Sequence, residues 1–219
     1  MVAYEHLYEQ RSLYMHLKKS TLAVLMIPAA MAHAQDWQAG GVVSGGGRSS
    51  FSFFNGGDAG GVGTGVGGQI RIALAERVIT EWYYDHLTAP IGDFAHRQDQ
   101  HIGWSVLFRV LPPRAHRPLL QPYLVAGHCF DHTLQLAKAD AANRAERWSS
   151  AVQAGAGTHV NLSERFDLSL AGQDMIHLGT DVHADEHDGR VEFHHEQGGS
   201  LEGHLLVHLS FNYKLFSLW

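Results

Sequence analysis

The 219-residue chain holds a single cysteine, Cys129, so no disulfide can form within it. That excludes a small secreted scaffold stapled by bridges, and the fold must close by packing or by a backbone hydrogen-bond ladder. The chain also lacks a long apolar run. Its longest, Leu22 to Met31, falls well short of the ~20 residues that a membrane-spanning helix needs. An excess of basic residues is missing as well: 16 Lys and Arg face 22 Asp and Glu, a formal net charge of −6. A nucleic-acid partner is therefore not expected.

The N-terminus does carry a recognisable pattern. Lys18 and Lys19 precede the apolar stretch, and Ala32-His33-Ala34 supplies small residues at the two positions that matter for cleavage. This reads as a secretory signal peptide over residues 15–34, starting at Met15 and cut before Gln35. Residues 1–14 are then an N-terminal extension or a mis-called start. The mature part, residues 35–219, has the size of one domain. Setting aside Arg11, Lys18, Lys19, Glu5 and Glu9 leaves it 13 basic and 20 acidic residues, net −7.

Within the mature chain apolar and polar residues alternate in segments separated by turn signals. Eight strands are expected, at 37–47, 61–74, 77–87, 100–111, 119–130, 147–160, 165–178 and 202–216, with a short Ala-rich piece at 137–147 as the only helical stretch. Each strand is near or above the ~9–11 residues of a tilted membrane-crossing strand, and the count is even, as bacterial barrels require. The connections at 75–76, 112–118 and 161–164 read as short, and those at 48–60, 88–99, 131–146 and 179–201 as long. Short turns on one side and long loops on the other match an outer-membrane barrel with its long loops outside.

The aromatics sort by strand direction, Trp82, Tyr84, Trp104 and Trp148 toward an outer rim and Trp37, Phe166, Phe211 and Tyr213 toward an inner one. In the last segment Val207, Leu209, Phe211, Tyr213 and Leu215 share one face, and His208, Ser210, Asn212 and Lys214 the other. The same phase rule assigns Arg71, Glu81, Asp85, Arg109, Gln153, Asp167, Gln173, His208 and Lys214 to the interior. An eight-stranded barrel is just wide enough for side chains to fill it. These mixed charges are therefore expected to pair into a plug. A wide pore is not expected, nor an acid/base site built on Glu81 and Asp85.

With its signal peptide, eight strands, Gln121-Pro122-Tyr123-Leu124-Val125-Ala126-Gly127 segment and aromatic C-terminal strand, the chain resembles the small eight-stranded outer-membrane β-barrel proteins. These are the group of the OmpA transmembrane domain, OmpX and OmpW. The resemblance implies an all-β, antiparallel up-and-down barrel, inserted as a monomer among outer-membrane lipid and lipopolysaccharide by the barrel-assembly machinery. That machinery reads a final strand like Phe211-Asn212-Tyr213-Lys214-Leu215-Phe216; here the chain runs on to Trp219. The implied role is non-enzymatic, in outer-membrane structure or surface interaction, with no catalytic residue and no cofactor. The OmpW likeness implies an alternative, a narrow transporter of small hydrophobic compounds. Another alternative, a lipid A deacylase of the PagL type, carries a His-x-Ser-Asn motif. His208-Leu209-Ser210 resembles it, but Phe211 stands where the motif has Asn, and Asn212 follows.

Gly63-Thr64-Gly65-Val66-Gly67-Gly68 has the spacing of a dinucleotide fingerprint, but Ile70, Ile72 and Leu74 continue it as a strand and no helix follows. Glycines there let a strand bend or make room for bulky interior residues. The most distinctive chemistry lies in residues 179–200, where Asp181, Asp185, Glu186, Asp188, Glu192 and Glu196 face Arg190 alone, among His183, His187, His194 and His195. A two-residue turn at Asp188-Gly189 would place His183 opposite His194 and Asp185 opposite Glu192. Opposed carboxylates repel, and a divalent cation such as zinc, copper or nickel would relieve that repulsion. His183, Asp185, Glu192 and His194 are the candidate metal ligands; a solvated acidic hairpin is the alternative.

Overall fold

The structure is a computed structural model and describes residues 41–53, 61–111, 118–179, 182–195 and 203–218. The expected signal peptide, Trp37 and Trp219 lie outside these residues. Among the described residues ten strands form: β1 (Val42–Phe53), β2 (Val62–Ala73), β3 (Val78–Ile91), β4 (Ala95–Arg109), β5 (Leu120–Ala137), β6 (Arg144–Asn161), β7 (Phe166–Leu178), β8 (Val182–His187), β9 (Arg190–His195) and β10 (Gly203–Ser217). Eight of them close a barrel in the order β1-β10-β7-β6-β5-β4-β3-β2, and β8 and β9 form a separate hairpin. All eight barrel pairings are antiparallel. Among the described residues no helix is long and apolar enough to cross a membrane.

The register fixes the barrel's dimensions. Stepping across paired residues from Val43 through Ile72, Thr80, Val106, Ala126, Ala154, Asp174 and Leu205 returns to β1 at Phe53, 10 residues further along. Eight strands with that stagger tilt by roughly 40° from the axis around a radius of roughly 8 Å. Each strand residue then climbs about 2.5 Å along the axis. On β10 the outward run Leu205, Val207, Leu209, Phe211, Tyr213 and Leu215 spans about 25 Å of height at this tilt, the height of the apolar band on an outer-membrane barrel. Leu205, Leu209, Phe211 and Leu215 are all exposed, as are Trp82, Trp104, Phe108, Leu124, Phe130 and Leu170 on other strands. Their partners in alternation, His208, Ser210, Asn212 and Lys214, are buried inside.

The strands run further outward than their alternation indicates. Thr88 to Ile91 pairs with Ala95 to Gln98, so β3 and β4 join across only residues 92–94, with Gly92 at φ 50°. Likewise β5 and β6 join across residues 138–143, and the Ala-rich piece expected to be helical is the end of one strand and the start of the next. The expectation of four long outer loops is corrected accordingly: residues 54–61, 92–94 and 138–143 are short, and 179–202 alone is long. Residues 110–119, by contrast, make a longer inner connection than expected. In β4 the reason is that the outer extension is polar on both faces. The inward residues Arg97, Asp99 and Thr133 stand beside outward Gln98, Gln100 and His132, so the pleat continues where the apolar-polar contrast stops.

The same lengthening moves two tryptophans. Trp82 and Trp104 are direct cross-strand partners, but they are the fifth residue from the inner end of β3 and the sixth from that of β4. They sit at mid-height rather than in an outer belt. Trp148 is near the outer end of β6 and packs on His132 at 4.5 Å between ring centres. At the inner rim Phe166 packs against Phe211 and Tyr213 at 5.1 and 4.7 Å, and Arg165 Nη1 donates to the Tyr213 hydroxyl.

Candidate functional site

The interior is filled in tiers. Lowest is an apolar collar of Val42, Ala73, Ile79, Leu107, Tyr123, Val125 and Ala171. Above it Arg48 joins two carboxylates, its Nη1 lying 3.3 Å from Glu81 Oε1 and its Nε 3.1 Å from Asp85 Oδ1. Arg71 Nε donates to the other Glu81 oxygen at 2.6 Å. Glu81 and Asp85, whose spacing could suggest acid/base chemistry, are thus held by guanidinium groups, as a structural plug requires. Arg48 also lies over the Tyr83 ring at 4.5 Å, and Tyr83 continues through Gln153 to Ser105. Every residue that the sequence assigned to the interior is buried there except Arg109, which is half-buried near the inner mouth.

Two inward glycines make this filling possible. Gly103 pairs with Tyr83 across β3 and β4, and a Cβ there would meet the Tyr83 hydroxyl at 2.5 Å and Cys129 Cβ at 2.6 Å. Gly157 stands in the same relation to Tyr123, whose ring a Cβ would meet at 2.5 Å. Within 63–68, where the glycines are expected to make room for interior groups, a Cβ at Gly65 would meet Leu87 and one at Gly67 would meet Asp85.

A second apolar layer of Tyr83, Leu87, Cys129, Ala151, Met175 and Leu206 separates the central charges from an outer cluster. At its hub Asp131 takes Arg147 Nη2 at 3.4 Å, His101 Nε2 at 3.3 Å and His177 Nδ1 at 3.2 Å, and His177 Nε2 lies 3.1 Å from His204 Nδ1. Beside it Arg97 pairs with Asp99, which also accepts from Thr133 at 2.7 Å. Sequence reasoning missed this cluster because Arg97, Asp99 and Asp131 fell in segments read as loops. The signal that could have found it is the unbroken odd-number alternation of charge through Arg97, Asp99 and His101, answered by Asp131 and Thr133 on the neighbouring strand.

A cavity of about 10 Å³ lies at mid-barrel between Arg48, Gln69, Glu81, Leu107, Val125 and His208, at the lower edge of what holds one water. His208 and Ser210 share the interior face, but His208 Nδ1 lies 2.8 Å from Ser50 Oγ, and Ser210 is 3% exposed. A nucleophile so placed is walled off from acyl chains outside the barrel.

At the outer end β8 and β9 pair as their sequence predicts. His183 faces His194 and Asp185 faces Glu192, with Asp188 at φ 52° and Gly189 at φ 74° in the turn. Val182 and Ala184 are buried, Gln135 Nε2 donates to the Val182 carbonyl, and Asn143 Nδ2 donates to that of Val191. The hairpin is therefore tied to β5 and to the 138–143 turn, with its acidic residues exposed. The structure brings the four candidate ligands into register. His194 Nε2 lies 3.8 Å from Glu192 Oε2, and among the described residues no three His, Cys, Asp or Glu donors converge on one metal-sized point.

This closed, eight-stranded barrel is also what solved structures share. The N-terminal β-barrel domain of Pseudomonas aeruginosa OprF matches with a TM-score of 0.50 at 13% identity, covering 78% of this chain and 97% of that one. A major outer membrane protein from Thermus thermophilus matches with a TM-score of 0.51 at 11% identity, covering 79% and 99%. The chain has the fold of a small eight-stranded outer-membrane β-barrel. No protein-family model and no curated protein matches it.

Proposed function

We propose that the protein is a monomeric, non-enzymatic, integral outer-membrane barrel of a Gram-negative bacterium, acting in outer-membrane structure or surface interaction. Its lipid contacts are the outward apolar residues, its outer neighbours are lipopolysaccharide, and the barrel-assembly machinery inserts it by the β10 signal. The observation that carries this reading is the combination of a roughly 25 Å apolar outer band with an interior closed by ion pairs. A barrel so filled is a rigid support; the Arg48, Glu81 and Tyr83 tier occupies the axial route through it, and a lateral opening is the route left to the alternative, a narrow transporter of small hydrophobic compounds. Enzymatic deacylation finds no support in the placement of Ser210.

The contact surface in this reading is the β8–β9 hairpin, which presents Asp185, Glu186, Asp188 and Glu192 on a braced support. A protease site inserted between Asp188 and Gly189 tests it: cleavage on intact cells is expected, and cleavage only after lysis would overturn the assignment. The same surface is where a divalent cation would be taken up, by His183 and His194 with Asp185 and Glu192 drawn in around it. Zinc titration of the refolded protein beside a His183→Ala/His194→Ala variant tests that role, which fails if heat is absent or unchanged in the variant.

A further inference from the structure

Two buried histidines flank the long outer segment, His177 at the end of β7 and His204 at the start of β10. Among the described residues Ile176 opposite Gly203 is the outermost pair of the β7–β10 ladder, so the two rings stand at its end. Their centres are 4.7 Å apart, and His177 Nε2 lies 3.1 Å from His204 Nδ1. His177 Nδ1 lies 3.2 Å from Asp131 Oδ2, and a carboxylate so placed holds the proton on that nitrogen. Nε2 then offers a lone pair, which the N–H of His204 Nδ1 fills. One proton in this gap makes a hydrogen bond; a second sets two N–H groups against each other. The groups facing the pair come from each neighbouring strand. β4 supplies Arg97, Asp99 and His101, whose ring stacks on His204 at 6.1 Å, β5 supplies Asp131, and β6 supplies Arg147. β1 supplies the Ser52 hydroxyl, Tyr83 and Cys129 lie in the apolar layer beneath, and Asp85 faces His101 from below. Asp131 is already shared among Arg147, His101 and His177, which leaves it little to give a further proton.

We propose that His177 and His204 form an acid-sensitive clasp, in which uptake of a second proton by the pair parts the outer end of β7 from β10. A parted histidine protonates near its ordinary value of about 6.5, so the clasp is closed above that pH and opens below it. The open form binds one proton more than the closed form, and linkage then favours it by up to about tenfold for each further pH unit. The effect is local. Arg48, Glu81 and Asp85 pair without a histidine and lie below the second apolar layer. Because β7 leads into the β8–β9 hairpin and β10 follows it, acid loosens the root of the hairpin while Gln135 and Asn143 still hold Val182 and Val191. The inference needs only the fold, whatever the hairpin meets outside.

The test is amide exchange and imidazole NMR on the full protein refolded in micelles, from about pH 7.5 to about pH 5, either side of the ordinary histidine value. After correction for intrinsic rates, protection should fall by roughly tenfold or more at Ile176 to Leu178 and at Gly203 to Leu205. It should hold at Leu170 and Leu209, a pair further down the same two strands. The His177 and His204 rings should titrate in two separated steps, as coupled sites do. His204→Phe keeps a ring in place but leaves a single titrating site, and should remove the fall in protection. Protection that does not change with pH, a fall retained in a folded His204→Phe protein, or two rings that titrate independently would overturn the proposal. The ring titration needs only the parent protein and decides the matter where His204→Phe does not fold.

Discussion

Arg48 Nε stands 3.1 Å from Asp85 Oδ1 in a barrel interior where both side chains are almost wholly buried. The same guanidinium reaches Glu81, so one cation holds two carboxylates. Removing one partner from a buried ion pair leaves an uncompensated charge, which costs about 3–5 kcal/mol. Arg48→Ala should lose stability on that scale in urea unfolding from lipid vesicles, and Arg48→Met/Asp85→Asn should lose less. Equal losses would show that the pair is not coupled.

The outer tier is separable from the central one. Asp131→Ala removes the hub of Arg147, His101 and His177, while Arg48, Glu81 and Asp85 keep their contacts. Hydrogen exchange should therefore quicken in the outer halves of β5 to β7 and stay slow at the inner ends, since local stability follows local contacts. Uniformly faster exchange would contradict a tiered interior.

The Tyr83 and Gly103 relation gives a steric prediction. Gly103→Val forces a branched side chain into the space of the Tyr83 hydroxyl and Cys129, and overpacking of this kind costs about 1–3 kcal/mol. A denaturation midpoint unchanged from the parent would show that the ring has another place to go.

Much of this arrangement was legible in the sequence. Alternation in the C-terminal strand gave the facing of Val207 to Leu215, because lipid and a polar interior sort residues with period two. Asp188-Gly189 located the outer hairpin because a two-residue turn with both φ positive suits that dipeptide. The outer cluster around Asp131 was not legible, for a physical reason. Beyond the apolar band the outward Gln98 of β4 is as polar as the inward Arg97 and Asp99, and Pro90 interrupts β3, so Thr88 to Ile91 and Ala95 to Asp99 look like loops although their ladders continue; in β5 the alternation of Leu134 and Leu136 with Thr133 and Gln135 does carry on. In β1 the run Gly45-Gly46-Gly47 has no side chains to show a period, which hid the extension to Arg48 and Ser50. Arg71, Asp167 and Lys214 were placed inside by the phase rule, but their meeting with His159 at the inner mouth was not legible, because the four come from β2, β7, β10 and β6, which only the closed register brings together.

Lipid exposure of the outer face has its own signature. Leu209 lies near the middle of the apolar band, and Gln98 lies on the outward face of β4 beyond it. Leu209→Arg should cost about 2–4 kcal/mol and Gln98→Arg about 0–1 kcal/mol in vesicle-reconstituted protein, the depth dependence expected of a bilayer. Equal costs would mean that no bilayer surrounds these strands.

The account stands most directly on where the folded chain resides. Expressed with a tag in a Gram-negative host and separated by density, the protein is predicted to appear in the outer-membrane fraction, resist carbonate extraction and migrate differently on gels before and after boiling. Recovery as a soluble periplasmic protein with unchanged mobility would contradict it.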